Sequence, residues 1–269
     1  VSMASGVLTA VAVAATSVLA CLCLPGRRVP AICAAAIMLV MAVVVYSTIP
    51  VIDGHAVLRA QSVGELLLAA THVLAWPARD NGVVLLVWLP SIVMVSRMLI
   101  RRSATPTELV MAGLCIWSGM QGMAIAYGRG HDGMRSPASR YTELLVPGVF
   151  ANAWFALQLW GLLPEPPKRR LLARTVVVLF FLLLFGATLS RVSKDLGTIR
   201  KFHAACELQQ QNVVRYLISK DAKVLDVGMF ELPYPDAGQL KQHLDNRALL
   251  PVLPEVIRTE VERGSAPLP

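Results

Sequence analysis

A polar segment of the sequence gathers most of the side chains that could do chemistry. Residues 127–143 contain three arginines, two acidic residues, one histidine and three glycines. Guanidinium groups present paired N–H donors that match the oxygens of a phosphate or pyrophosphate group, and glycines let a ligand approach the backbone closely. The predicted phosphate- or substrate-binding residues are Arg129, Arg135, Arg140 and Tyr141. The candidates for a general base beside such a group are Asp132 and Glu143.

The segment lies in a chain whose composition is that of a helical membrane protein. Hydrophobic residues make up 55% of the 269 residues and charged residues only 16%, whereas about a quarter of an ordinary soluble domain is charged. The apolar residues fall in six stretches close to the roughly 20 residues that cross a bilayer as a helix. These stretches are residues 1–24, 31–49, 82–100, 108–127, 141–163 and 171–189. We therefore predict an all-α membrane protein with about six transmembrane helices.

The connections between these stretches alternate in charge, and this alternation predicts the topology. The connections after the first, third and fifth stretches are short and rich in arginine, whereas the longer ones, residues 51–81 and 128–140, carry both signs. Positively charged connections favour the cytoplasmic side. The longer connections, the N-terminus and the tail are therefore predicted on the outer side of the membrane. The same charge bias accounts for the net charge of +8, so we do not expect a nucleic-acid partner.

Two further regions are predicted outside the spans. Residues 62–76 are too short to cross a bilayer and predict an interfacial amphipathic helix, with a re-entrant segment as the alternative. Residues 1–190 thus form the predicted transmembrane domain, and the polar residues 191–269 a small, mostly helical extracytoplasmic domain. In that domain we expect a helix over about 198–220, a short strand at 222–227, and a helix through about 244 capped by Asp236.

The charged segment also has an interpretation without a ligand. Arg140 and Tyr141 would then anchor the start of a span at the membrane interface, and Glu143 would complement the helix dipole there. An excess of arginine on the outer side departs from the usual charge bias, and this departure favours binding. Neither the cysteines nor the histidines have metal-ligand spacing, and no nucleotide-binding or hydrolase motif is present. We therefore expect no metal and no cofactor, and leave open whether the protein is an enzyme.

Short motifs in and after this segment carry a resemblance. The first motif consists of Tyr127, Gly128, Arg129, Ser139, Arg140 and Tyr141. Together with residues 212–217, 232–236 and 250–254, this motif resembles uncharacterised bacterial polytopic membrane proteins. Those proteins look distantly like the C-terminal half of GT-C-type glycosyltransferases and other cell-envelope glycan proteins. The resemblance covers about residues 127–254 and implies a membrane role in envelope polysaccharide. The acidic motif that GT-C enzymes carry in an early outer loop is not in this chain. Because the first residue already lies in an apolar run, we expect a C-terminal half of a longer protein, or a misplaced gene start.

The expected function is the handling of a lipid-linked sugar or another anionic cell-envelope precursor in a bacterial inner membrane. The ligand would be a polyprenyl-phosphate-linked sugar, held by the arginines. The alternative is a non-catalytic membrane scaffold or export component whose C-terminal domain binds a periplasmic protein. A secondary transporter ranks third, because the spans have essentially no ionisable residues away from their ends.

Overall fold

The computed structural model describes residues 2–49, 57–78, 80–132, 139–162, 167–226, 234, 236–246 and 248–265. Over these residues the secondary structure is helical, with no β-strand. The α-helices are α1 (Ser2–Cys23), α2 (Arg28–Ser47), α3 (Val63–Leu74), α4 (Val84–Arg101), α5 (Pro106–Arg129), α6 (Ser139–Gly161), α7 (Pro167–Ser219), α8 (Ala237–Asp245) and α9 (Glu255–Ser265). The chain forms two compact units, Val1–Leu189 and Ser190–Pro269.

In the described part of the chain, six helices are long and apolar enough to cross a membrane, namely α1, α2, α4, α5, α6 and α7. This confirms the predicted all-α class with six long apolar helices. Away from the prolines inside α4 and α6, a continuous helix satisfies its backbone hydrogen bonds internally, as the hydrocarbon of a bilayer requires. Within the first unit, α1 packs against α2 and α5, α5 against α6, and α4 against α6. The largest buried cluster lies among α1, α4, α5 and α6 and consists of Leu19, Cys23, Met94, Met98, Ala112, Cys115, Ala151 and Phe155.

The short helix predicted at residues 62–76 is confirmed as α3. Ser62 caps it by accepting a hydrogen bond from the backbone N–H of Glu65. Its small apolar face, Ala69, Ala70 and Val73, is buried, and α3 packs against α5. Close packing on a neighbouring helix explains why that face carries alanine rather than larger residues.

Helix α7 is longer than the sequence pattern predicted. We expected a span ending near residue 189 and a separate helix from about 198, but α7 runs through both regions. Residues 190–197, between the two predicted helices, lower the hydropathy but remain helical. They contain no proline, and Arg191 Nε lies 3.6 Å from Asp195 Oδ2, at the spacing of one helical turn.

The second unit has a hydrophobic core of its own. Its buried members are Val213, Val214, Tyr216, Leu225, Leu244 and Ile257. The strand predicted at residues 222–227 is wrong, because Ala222–Leu225 forms a 3-10 turn. Asp221 caps that turn by accepting a hydrogen bond from the Lys223 N–H. The predicted cap of α8 is confirmed, since the Asp236 carboxylate accepts from the Gln239 N–H at 2.9 Å.

A carboxylate joins two helices of this unit. The Tyr216 hydroxyl in α7 donates to Asp245 Oδ1 at 2.6 Å, and the Lys241 ammonium in α8 donates to Asp245 Oδ2 at 2.7 Å. The hydrogen bonds from Lys241 and then from Tyr216 hold the pKa of the Asp245 carboxyl below its ordinary value. Because this pKa is lowered in the folded state, the ionised carboxylate stabilises that state fully at pH values above the ordinary carboxyl pKa of about 4. The contribution is lost as the pH falls through the pKa that the carboxyl has in the folded state.

We predict that Asp245→Asn destabilises the second unit at pH 7 and has progressively less effect toward pH 3. Proteolysis of α8 and α9 in the detergent-solubilised full chain measures this difference. Lys223→Gln, a charge change on the surface of the same unit, is the control. Its difference in proteolysis from wild type should not shrink as the pH falls. A D245N chain as resistant as wild type at pH 7 would contradict the role assigned to the carboxylate.

Candidate functional site

The sequence-predicted binding residues lie around one connection, at the end of the first unit where α5 ends and α6 begins. Arg129 is the last residue of α5, Asp132 lies in the 3-10 turn Gly130–Asp132, and Arg140 is in the first turn of α6. Arg135 lies outside the described residues. Two of the three arginines are therefore fixed to helix ends that flank the same connection. We call this region the α5–α6 end.

The α5–α6 end also contacts the chain that leads into α3. The backbone N–H of Ala60 donates to the carbonyl oxygen of Tyr127 at 2.8 Å. A methyl group added at Gly130 would come within 2.7 Å of Ala60 Cβ and 3.3 Å of Ala60 Cα. Only glycine fits position 130 without displacing the neighbouring backbone. This contact holds the approach to α3 against the end of α5.

Glu65 connects the two segments through hydrogen bonds. Its Oε2 accepts from the Gln61 backbone N–H at 2.8 Å, and His131 Nδ1 lies 3.4 Å from the same oxygen. The Gln61 hydrogen bond, with a smaller contribution from His131, holds the pKa of the Glu65 carboxyl below its ordinary value. Glu65 thus stays ionised at neutral pH and supplies negative charge beside the arginine-bearing connection. Sequence reasoning missed this residue, although Ser62 followed by Glu65 is the spacing of a capping box.

The remaining predicted residues differ in exposure. Tyr141 is 4% exposed and packs with Val73, Ile125 and Leu145, so its ring belongs to the packing between α3, α5 and α6. Glu143 is exposed on α6. The structure therefore brings Arg129 and the first turn of α6 to the same end, with Tyr141 buried beneath them.

A buried polar network lies deeper in the first unit. Pro147 interrupts α6, because proline lacks the N–H that would continue the hydrogen-bond ladder and its ring crowds the preceding turn. Ser118 of α5 lies against this point. Its hydroxyl accepts from the Gly148 N–H at 2.8 Å and donates to the Leu144 carbonyl at 2.9 Å. The hydroxyl thus bridges the two backbone groups that an uninterrupted helix would join directly.

A backbone group next to a second proline also bonds to a side chain of another helix. Pro90 lies inside α4, and the next backbone N–H, that of Ser91, donates to the Asn152 Oδ1 atom of α6 at 3.1 Å. Asn152 Nδ2 in turn donates to the Gly148 carbonyl at 2.9 Å. Ser118 and Asn152 are both fully buried. The two side chains therefore connect α4, α5 and α6 through backbone groups next to the prolines.

Two further hydrogen bonds join α1 to α5. Trp117 Nε1 donates to Thr9 Oγ1, and Gln121 Nε2 donates to Ser5 Oγ, each at 2.8 Å. Polar residues in the middle of apolar stretches are a readable signal for such interhelical bonds. Trp117, Gln121 and Asn152 carry that signal and were not among the predicted site residues.

A cavity of about 630 Å³ lies between α1 and α5. Its wall is almost entirely apolar, and the hydroxyls of Thr9, Thr16 and Ser17 in that wall donate to carbonyls one turn earlier in α1. Because these donors are already satisfied, the cavity offers an apolar surface to an occupant. The lining residues are Thr9, Ala12, Val13, Thr16, Ser17, Ala20, Leu109, Val110, Gly113, Leu114, Trp117 and Pro147.

Among the described residues, no group of three or more histidine, cysteine, aspartate or glutamate side chains could hold a metal ion.

No protein-family model, no curated protein and no solved structure matches the chain. The interpretation of the site therefore depends on its chemistry alone.

We predict that Ser118→Ala destabilises the first unit by about 1 kcal/mol or somewhat less, because the Gly148 N–H and the Leu144 carbonyl both lose a hydrogen-bond partner. Ser17→Ala is the matched control, since the Ser17 hydroxyl bonds only within its own helix. Unfolding in mixed micelles titrated with dodecyl sulfate measures both variants. Equal stabilities for S118A and S17A would show that the bridge contributes nothing.

We predict that Gly130→Ala loosens the contact between Ala60 and the end of α5, at a cost of roughly 1–3 kcal/mol typical of overpacking. Gly128→Ala is the matched control two residues away, because nothing lies within 4 Å of an added methyl group there. Hydrogen exchange at the Ala60 amide should accelerate in G130A and stay unchanged in G128A. Unchanged exchange in both variants would contradict the close approach.

Proposed function

We propose that this protein is a bacterial inner-membrane protein that holds a lipid-linked sugar or another anionic cell-envelope precursor. The phosphate or pyrophosphate group binds Arg129, Arg135 and Arg140 at the α5–α6 end, which faces away from the cytoplasm. The lipid chain lies along the cavity between α1 and α5. Asp132 and Glu143 flank the same end and are the candidates for a general base if the bound precursor reacts there.

The observation that carries the proposal is the position of the arginines at the two ends of one connection. Arg129 ends α5 and Arg140 lies in the first turn of α6, with Arg135 between them in the sequence. The first turn of a helix adds unpaired backbone N–H groups and the positive end of the helix dipole, which favour an anion. Three arginines within and at the ends of one connection suit a doubly charged phosphate or pyrophosphate.

The α1–α5 cavity supports an apolar, elongated tail on that anion. Its volume lies within the roughly 300–1,000 Å³ of known ligand pockets, and its wall offers almost no free polar group. Trp117 is the cavity residue nearest to Arg129 along α5, twelve positions or about 18 Å of helix away, and Pro147 lies seven positions or about 10 Å from Arg140 along α6. A ligand that reaches both regions must therefore be long, as a polyprenyl chain is.

A non-catalytic scaffold or export component is the second candidate. It is favoured by the second unit, which has its own core and still exposes Leu249, Val252 and Val256. Apolar residues on the surface of a small polar unit are typical of a protein-binding patch. In this case a periplasmic protein would bind the second unit.

We predict that Arg129→Gln and Arg140→Gln each weaken binding of a polyprenyl phosphate about tenfold or more, as expected for loss of a charge-assisted hydrogen bond. Native mass spectrometry of the purified chain with undecaprenyl phosphate measures the binding, and Arg135→Gln tests the third arginine. Arg27→Gln, which removes an arginine from the 3-10 turn between α1 and α2, is the matched control.

Retention of wild-type binding in all three arginine variants would contradict the proposal. Equal binding of the uncharged undecaprenol would also contradict it, because recognition would then need only the apolar chain. In the scaffold alternative, Val252→Asp and Val256→Asp abolish capture of a periplasmic partner while undecaprenyl phosphate binding is unchanged.

A further inference from the structure

The part of α7 that belongs to the second unit exposes a line of large apolar residues. Val192, Leu196 and Ile199 are 49%, 52% and 63% exposed, and they follow one another at spacings of four and three. In the sequence, Leu189 and Phe185 continue the same alternation toward the N-terminus. Apolar residues that repeat every 3.5 positions place a narrow stripe along one side of a helix.

The surroundings of this stripe argue against lipid as its cover. Lys194, Asp195, Arg200 and Lys201 lie between or next to the apolar residues, and all four are exposed. Four charged side chains within two helical turns are too costly for the hydrocarbon of a bilayer. The stripe therefore lies in an aqueous or interfacial region, where burial against protein would remove large apolar side chains from water.

We propose that a second copy of this chain covers the stripe, so that α7 forms a parallel coiled coil with its counterpart. Leu189, Leu196 and His203 then occupy position a of successive heptads, and Val192 and Ile199 occupy position d. A symmetric pair of chains in one membrane has its two-fold axis along the membrane normal, so equivalent helices run in the same direction. This requirement selects the parallel arrangement.

Charge complementarity supports a second copy as the occupant. In this register Asp195 occupies position g and Arg200 the following position e. In a parallel pair, g on one helix faces the next e on the other, so Asp195 of each copy meets Arg200 of its counterpart twice by symmetry. The Asp195 side chain is 57% exposed and contacts Arg191 of its own helix at 3.6 Å, which leaves it accessible to a second guanidinium.

The exposed stripe ends where the core of the second unit begins. Phe202 is 54% exposed and occupies position g, where it extends the apolar surface by one turn. Farther along α7, Val213 and Tyr216 are buried within their own chain. The proposed coiled coil therefore covers the part of α7 that the second unit leaves open, up to about residue 203.

Disulfide cross-linking of the full chain in native membranes tests the register. Leu196→Cys and Ile199→Cys, made in a Cys33→Ala, Cys206→Ser background, should give a covalent dimer on mild oxidation. Lys194→Cys and Lys201→Cys, at position f on the opposite side of the helix, are the matched controls and should stay monomeric. Equal cross-linking at all four positions, or none at any, would overturn the proposal, as would an adduct with a different protein in place of the dimer.

Charge reversal gives a second measurement that does not depend on cysteine chemistry. Arg200→Glu should weaken dimerisation roughly tenfold in single-molecule photobleaching of the full chain in nanodiscs, since two symmetric ion pairs become repulsive. Asp195→Lys combined with Arg200→Glu should restore it, because the pairs then form with exchanged signs. One-step bleaching of the wild-type chain, or no rescue in the double variant, would overturn the parallel pairing.

Discussion

A backbone N–H or C=O in hydrocarbon has no water to bond, and this constraint governs the first unit. The interior of a helix satisfies it everywhere except at a proline, where one donor is missing and the neighbouring groups lose their partners. The chain carries prolines inside two of its long apolar helices, α4 and α6. Ser118 and Asn152 supply the missing partners from adjacent helices. The side chains that bond the backbone groups next to the prolines therefore also join α4, α5 and α6.

Polar and charged groups are distributed differently in the interior of the first unit and at its ends. The hydroxyls in the wall of the α1–α5 cavity bond to carbonyls of their own helix, and that of Thr9 also accepts from Trp117 of α5, so the cavity is left apolar. Charged side chains collect where the helices end. An occupant with an oily chain and an anionic head would match this division, with the chain against α1 and α5 and the head at Arg129 and Arg140.

The sequence pattern predicted what depends on local composition. Six apolar helices, the short helix α3 and the cap at Asp236 follow from run length, hydropathy and capping residues, and these features are confirmed. The extent of α7 could not be predicted from hydropathy, because the helix persists where the composition becomes polar. The strand expected at residues 222–227 was wrong because the apolar run there is short and Asp221 caps a 3-10 turn.

The candidate site was predictable in position but not in detail. Three arginines in one connection are visible in the sequence, whereas the burial of Tyr141 depends on which side of α6 meets α3 and α5. A tyrosine at the start of a span suits an interface anchor and a packed residue equally well. The pairing of Ser118 with Pro147 likewise requires the register between two helices, which composition does not contain. Glu65 was missed because its carboxylate acts on a connection far from it in the sequence.

The account as a whole depends on the side of the membrane that the α5–α6 end and the second unit occupy. Fusions of alkaline phosphatase and of green fluorescent protein after Pro269, and the same pair after Arg102, measure this directly. We predict active phosphatase and no fluorescence after Pro269, with the reverse pattern after Arg102. Fluorescence after Pro269 would place the arginines in the cytoplasm and contradict the account.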